Sequence, residues 1–184
     1  MTGTGEKWLS EREQRVWRSF IAMQMELESR LSRQLLAETG LSASDYGVLV
    51  HLSEAPQGRL RIFQLRTHLQ WEKTRLTHHL GRMARRGLVE REPCETDTRG
   101  AFIQITDAGL AAIRAAAPRH VAHVRHLVID RLSPEQLDLL GEISDLIRSG
   151  FDACDTEAEG CDPEQSPCPP GVGPDDADPG HRDH

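Results

Sequence analysis

The chemistry in this chain gathers between residues 59 and 91. Read at about 100° per residue, the segment 72–86 separates two faces. Leu76, Leu80, Met83 and Gly87 share one narrow sector, and Thr74, Arg75, His78, Arg82, Arg85 and Arg86 cluster opposite. An apolar stripe backed by Thr, His and Arg suits a helix anchored on the protein and laid into a groove of a double helix. There an arginine can offer paired donors to a guanine edge, a threonine hydroxyl can meet either base type, and flanking cations can hold phosphates. A basic stripe is more often simply a solvated helix face, but the local charge weighs against that. From Arg59 to Arg91 nine bases stand against two acids, Glu72 and Glu90, a net of +7 in 33 residues, which is the electrostatic footprint of a polyanion-binding surface.

A second signal is Thr96-Asp97-Thr98-Arg99-Gly100, between the strand-like runs 88–92 and 102–105. A basic residue on a narrow β-tip can enter a minor groove, where the potential is most negative. Asp97 can fix the guanidinium or the turn, and Gly100 permits a positive φ. The polar stretch 93–100 is expected to form a long hairpin tip.

The chain is 184 residues long, with a formal charge of -7, but that value reports the tail. Residues 152–184 hold ten acids and one base, Arg182, leaving +2 for residues 1–151. The tail also holds six of the ten prolines and no Leu, Ile, Phe, Trp or Tyr, so it cannot bury enough apolar surface to offset its conformational entropy and is expected to be disordered. Its charge could compete with DNA for the basic segment at low salt. Cys94, Cys154, Cys161 and Cys168 are too few and too unevenly placed for a disulfide scaffold. No apolar signal core or membrane-length run is present, so a reducing, cytoplasmic setting is expected, with no membrane partner.

Positioning the basic face falls to the surrounding elements. Trp17, Phe20, Gln24, Leu27, Leu31 and Leu35 step by three and four along a helix from about Ser10 to Glu38, closed by Gly40. A second helix from about Ser44 carries Tyr46, Leu49, Val50 and Leu52, and Pro56 and Gly58 end it. Arg59-Leu60-Arg61 is a short strand, and Ile62, Leu65 and Leu69 mark a brief helix before the basic one. Thr106-Asp107 starts a helix carrying Leu110 through Leu132, with Pro118 kinking it. Ser133-Pro134-Glu135-Gln136 opens the last helix, striped by Leu137, Leu140, Ile143 and Ile147. The fold class is therefore mainly α with a small antiparallel β wing: a winged helix-turn-helix flanked by N- and C-terminal helices. The expected organisation is an N-terminal dimerisation helix (1–40), a DNA-binding lobe (41–106), C-terminal dimerisation helices (107–151) and an acidic tail (152–184). The flanking stripes have little partner surface within so small a chain, so burial against a second copy is expected.

The stretches Leu65-Arg-Thr-His-Leu, Trp71-Glu-Lys-Thr-Arg-Leu-Thr-His-His-Leu-Gly-Arg-Met, Arg86-Gly-Leu-Val-Glu-Arg, Asp97-Thr-Arg-Gly and Ile105-Thr-Asp-Ala-Gly resemble the MarR family of bacterial transcriptional regulators. The likeness covers about residues 10–150 and is most specific over 62–109. It implies a homodimer on a pseudo-palindromic double-stranded operator, usually a repressor, which many members leave when a small molecule or an oxidant binds. Carried over, Thr74, Arg75, Thr77 and His78 would read bases, Lys73 and Arg82 would hold phosphates, and Arg99 would be the wing arginine with Asp97 beside it. His78 stands where Arg is frequent, and Trp71-Glu72 replace small polar residues, so the operator sequence cannot be carried over.

Three sensors are conceivable. The first is Cys94, a redox candidate near Arg91, although flanking Glu92 and Glu95 would raise its pKa. The second is a metal on His120, His123 and His126, whose steps of three drift around a helix, or on the tail cysteines with His181 and His184, whose spacing is unlike zinc sites. The third is a pocket for a small aromatic or lipophilic effector lined by Trp17, Phe20, Met23 and Tyr46, which ordinary core packing would equally explain. No phosphate-cradling loop, paired-cysteine motif or activated nucleophile argues for an enzyme, and no cofactor is implied. The other class left open is a winged-helix protein-interaction module without DNA binding.

Overall fold

The computed structural model describes residues 8–94 and 97–155; of residues 93, 94, 97–100 and 152–155 it describes the backbone alone. The first helix, α1 (Glu11–Thr39), starts in a reciprocal cap in which the Ser10 backbone amide donates to Glu13 and the Glu13 amide donates to the Ser10 hydroxyl. It ends at Gly40, whose φ of 70° is left-handed. The same device opens α2 (Ala43–Glu54): the Ser42 amide donates to Asp45 Oδ2 at 3.0 Å and the Asp45 amide to Ser42 Oγ at 3.1 Å. After a 3-10 turn (Pro56–Gly58) come β1 (Arg59–Arg61), α3 (Ile62–Leu69) and α4 (Lys73–Arg85). The α3–α4 turn uses Gln70 at φ 52°.

The strands β2 (Val89–Cys94) and β3 (Asp97–Ile105) form a hairpin, and β1 pairs with the outer side of β3, giving an antiparallel sheet of order β1-β3-β2. The hairpin is longer than the alternation suggested. Pairing continues through Pro93↔Ala101 to Cys94↔Asp97, with a register shift between Pro93 and Cys94, because a turn-rich composition does not stop backbone pairing. Next comes α5 (Asp107–Leu127), capped by Thr106, whose hydroxyl accepts from the Gly109 amide at 3.0 Å and donates to the Gly87 carbonyl at 2.6 Å. A Cβ on Gly109 would lie 2.1 Å from the Leu88 carbonyl oxygen, so this close seating of α5 on β2 demands glycine.

Pro118 sits inside an unbroken α5, which Arg119 and His123 tie to α1 through the Glu38 carbonyl (2.7 Å) and carboxylate (2.9 Å). That helix does not reach Leu132: it stops at Leu127 and a 3-10 turn (Ile129–Arg131) intervenes. The last helix, α6 (Pro134–Asp155), opens with the Ser133/Gln136 cap and takes the first four residues assigned to the tail. The rest of the expected tail, with Cys161, Cys168, His181 and His184, lies outside the described residues. The core joins Leu35 and Leu41 to Val48, Leu49 and Leu52 of α2, Leu65 of α3, Leu76, Leu80 and Met83 of α4, the sheet residues Val89, Ile103 and Ile105, and Ile113 and Ala116 of α5. This is a winged helix-turn-helix, with α4 seated on the core and the hairpin beside it.

Candidate nucleic-acid interface

Three buried apolar side chains (Leu76, Leu80 and Met83) anchor α4. Lys73, Thr74, Arg75, Thr77, His78, Arg82 and Arg85 are exposed. The structure therefore brings the expected base-facing and phosphate-facing residues of this helix onto its solvent side, around a core stripe that fixes its rotation. Arg86 is the exception to the expected outer set. It sits at the C-cap and reaches back, donating to Asp45 Oδ2 at 2.6 Å and to the Gly40 carbonyl at 3.0 Å, so it joins α4 to the α1–α2 corner.

Positions 75, 79, 82 and 86 step by four, three and four along the border between the buried and exposed faces. Each is tied to a neighbour. The Arg75 guanidinium lies 4.3 Å from the Trp71 ring centroid, a cation–π contact. Trp71 meets the His79 ring edge-on at 5.3 Å. Arg82 Nη2 lies 2.9 Å from His79 Nδ1, and His79 Nε2 lies 3.1 Å from Asp45 Oδ1. That last approach is close but off the line of a good hydrogen bond, so Nε2 has no aligned partner among the described residues. His79 and Asp45 are only 5% and 3% exposed. Burial pulls the His79 pKa below the usual imidazole range; Asp45 opposes this, and Arg82 and Arg75 reinforce it. Burial would raise the Asp45 pKa, but the Arg86 and Ser42 hydrogen bonds outweigh it and hold the carboxyl low. The network is thus a neutral imidazole between a guanidinium and a carboxylate. Sequence periodicity missed both residues, since a polar side chain on a stripe boundary looks like surface.

Val89–Cys94 and Asp97–Ile105 carry the wing backbone beside α4. The side chains of Cys94, Asp97 and Arg99 lie outside the described residues. Near the base of the wing, Arg59 and Arg61 flank Phe102 at 5.0 and 5.3 Å, and Arg59 pairs with Glu92 at 3.4 Å.

The family model of the MarR family matches residues 39–100, from the end of α1 through the wing. The structure of AbsC, a MarR-family transcriptional regulator from Streptomyces coelicolor, is 39% identical, covers 80% of this chain and 99% of its own, and superimposes with a TM-score of 0.76. The chain belongs to the MarR family. Sco3205, a MarR-family transcriptional regulator from the same organism solved in complex with DNA, is 43% identical over 78% of this chain and 91% of its own, with a TM-score of 0.76. A MarR mutant from E. coli complexed with operator DNA shares the fold at 21% identity and a TM-score of 0.66, over 77% of this chain and 99% of its own. None of the curated protein sequences compared gives a significant match. As a MarR-family member the protein is a transcriptional regulator and not an enzyme, and no described helix is long and apolar enough to cross a membrane.

This MarR-family chain also holds a cavity of about 440 Å³ between α1, α2 and α5, with Leu27, Leu31 and Leu35 on its apolar wall and Gln24, Glu28, Ser32, Tyr46 and His120 as its polar groups. Of the expected lining only Tyr46 takes part. Trp17 and Phe20 continue the same α1 stripe beyond the cavity, packing on each other at 6.1 Å, and Trp17 and Met23 are 54% and 47% exposed. The three α5 histidines diverge. His120 packs on Tyr46 at 4.6 Å, His123 faces Glu38 at 2.9 Å, and His126 borders a cleft with Arg30 and Arg33. Among the described residues no group of three metal-ligating side chains converges.

Proposed function

We propose that this MarR-family regulator is a cytoplasmic, homodimeric, ligand-responsive repressor that grips a pseudo-palindromic double-stranded operator with α4 in the major groove and the wing in the minor groove. The observation that carries this is the outer side of α4. Thr74, Arg75, Thr77 and His78 stand exposed on a helix whose rotation is fixed by buried Leu76, Leu80 and Met83, with Lys73 and Arg82 flanking them toward the phosphates. Residues 1–40 and 107–151 would form the dimerisation layer, because α6 leaves Leu137, Leu140, Ile143 and Ile147 38–45% exposed. The cavity on α1, α2 and α5 has the size and mostly apolar lining of a small-molecule site, and supports a small aromatic or lipophilic effector.

Footprinting on the DNA upstream of its own and neighbouring genes should find a two-fold site, and binding there should weaken steeply as salt rises, because several phosphate contacts release counterions. Salt-insensitive binding, or equal binding to unrelated duplexes, would leave a protein-interaction module instead. Within that site Arg75→Ala should cost roughly 1–3 kcal/mol and relax the preference at one base pair per half-site, measured by titrating a set of single-base operator variants. Arg99→Ala should weaken operator binding while leaving oligomeric state and thermal stability nearly unchanged; an unaltered affinity removes the wing arginine from the contact.

A further inference from the structure

We propose that His79 is a positioning residue for DNA binding: held against Asp45 of α2 as a neutral imidazole, it fixes the Arg82 guanidinium on the DNA-facing side of α4. The proposal rests on the reading of α4 as the DNA-contacting helix. The other buried α4 side chains are Leu76, Leu80 and Met83, whereas His79 is 5% exposed and lies beside a carboxylate that is 3% exposed. A leucine at 79 would avoid the desolvation that a buried ring nitrogen carries, so the polar group is explained by what it holds.

What it holds follows from donor and acceptor types. A guanidinium only donates, so the 2.9 Å contact from Arg82 Nη2 makes His79 Nδ1 the acceptor and puts the ring proton on Nε2, facing Asp45 Oδ1 at 3.1 Å. Asp45 in turn is fixed through Oδ2 by Arg86 at 2.6 Å and the Ser42 amide at 3.0 Å. The line from the α1–α2 corner to Arg82 therefore runs through the His79 ring. Arg82 uses one of its five donors on His79 and keeps the rest for a phosphate. Ordering a long side chain before binding removes an entropic cost worth about tenfold in affinity.

Protonation of His79 would convert Nδ1 into a donor and set a cation against Arg82 and Arg75. The groups facing His79 are Asp45 from α2, Arg75 and Arg82 from α4, and the Trp71 ring edge from the α3–α4 turn, while Arg86 at the α4 C-cap reaches Asp45. Only Asp45 favours the charged form, and Arg86 already engages it. Acidification should then release Arg82 and weaken operator binding as the pH falls below the usual imidazole range. The comparison is made between proteins that differ only at residue 79.

The test measures operator affinity of the full-length protein by fluorescence anisotropy at fixed ionic strength from pH 8 to 5.5, with a scrambled duplex alongside. His79→Gln can still accept from Arg82 and donate toward Asp45 but cannot be protonated. It should stay within about twofold of wild type at pH 8 and give a flatter profile on acidification. His79→Leu should lose about tenfold at pH 8, and that loss should vanish when residue 82 is already alanine (Arg82→Ala), which a purely structural role for His79 would not produce. A His79→Gln profile parallel to wild type, or a His79→Leu loss unchanged by Arg82→Ala, overturns the proposal. Should His79→Leu fail to fold, the His79→Gln profile decides alone. If wild type does not prefer operator to scrambled duplex at any pH, it is the DNA reading that fails, and this proposal falls with it.

Discussion

Replacing Leu140 and Ile143 with glutamate in α6 is expected to leave a folded monomer that binds its operator at least a hundredfold more weakly than wild type. Leu137, Leu140, Ile143, Ile147 and Phe151 lie along one side of α6 and are 38–63% exposed, with Leu139 and Leu146 at its flank. A 22-residue helix with so wide an apolar face and little packing against the other described elements needs tertiary burial elsewhere, since helix propensity alone is marginal in water. In the proposed dimer the substitutions would place four carboxylates in one two-fold interface. Each costs several kcal/mol to bury unpaired, and together they repel. Losing the dimer converts two linked half-site contacts into one, which removes an avidity factor of about 10²–10⁴. The lobe itself should survive, because the described core runs from Leu35 to Ala116 and takes nothing from α6. Sedimentation and operator titration read both halves of the prediction. A dimer that persists with both glutamates in place would put the interface elsewhere.

Most of the scaffold was legible in the sequence because it is written in periodicity and punctuation. The α1 stripe through Leu35, Gly40 at the end of α1, the Thr106 and Ser133 caps and the apolar sector of α4 each act locally, so neighbouring residues reveal them. Three features were not legible, for related reasons. Arg86 shares the basic composition of the outer face, and only the fold shows that it closes on Asp45, 41 positions earlier. Asp45 and His79 sit at stripe boundaries as polar residues, and nothing local distinguishes a surface side chain from a member of a buried network. The stop at Leu127 and the 3-10 turn after it carry no glycine or proline before Pro134, so the apolar residues Leu127, Val128 and Leu132 read as one continuing helix. The cavity between α1, α2 and α5 was half legible. The α1 stripe that lines it shows in the periodicity, but which of its turns lies against α2 and α5 depends on where the helices cross.

Loss of Asp45 should cost substantial stability. Its two oxygens serve Arg86, the Ser42 amide and His79, so Asp45→Ala opens the α2 cap, strands a guanidinium and leaves a buried imidazole facing a void. Breaking a buried ionic cluster from one side costs about 3–5 kcal/mol. The Arg86 side chain is 44% exposed and can rehydrate, which puts the expected loss at the lower end, about 3 kcal/mol, or roughly 10 °C in Tm for a chain of this size. Asp45→Asn keeps the shape and an acceptor for Ser42, so it should lose less and separate charge from geometry. Both groups also set a pH dependence of the same sign. Asp45 has a lowered pKa, so its contribution is complete above the ordinary carboxyl range and lost as pH falls through the folded value. His79, also lowered, is at full stability above about pH 6.5 and loses it on acidification, because the unfolded chain takes the proton first. Denaturant unfolding at fixed protein concentration should therefore show stability declining from below pH 6.5, with Asp45→Ala starting lower and lacking the carboxyl part of the fall. A loss of under about 1 kcal/mol at neutral pH, typical of an exposed pair, would mean that the cluster does not hold α4 to the α1–α2 corner.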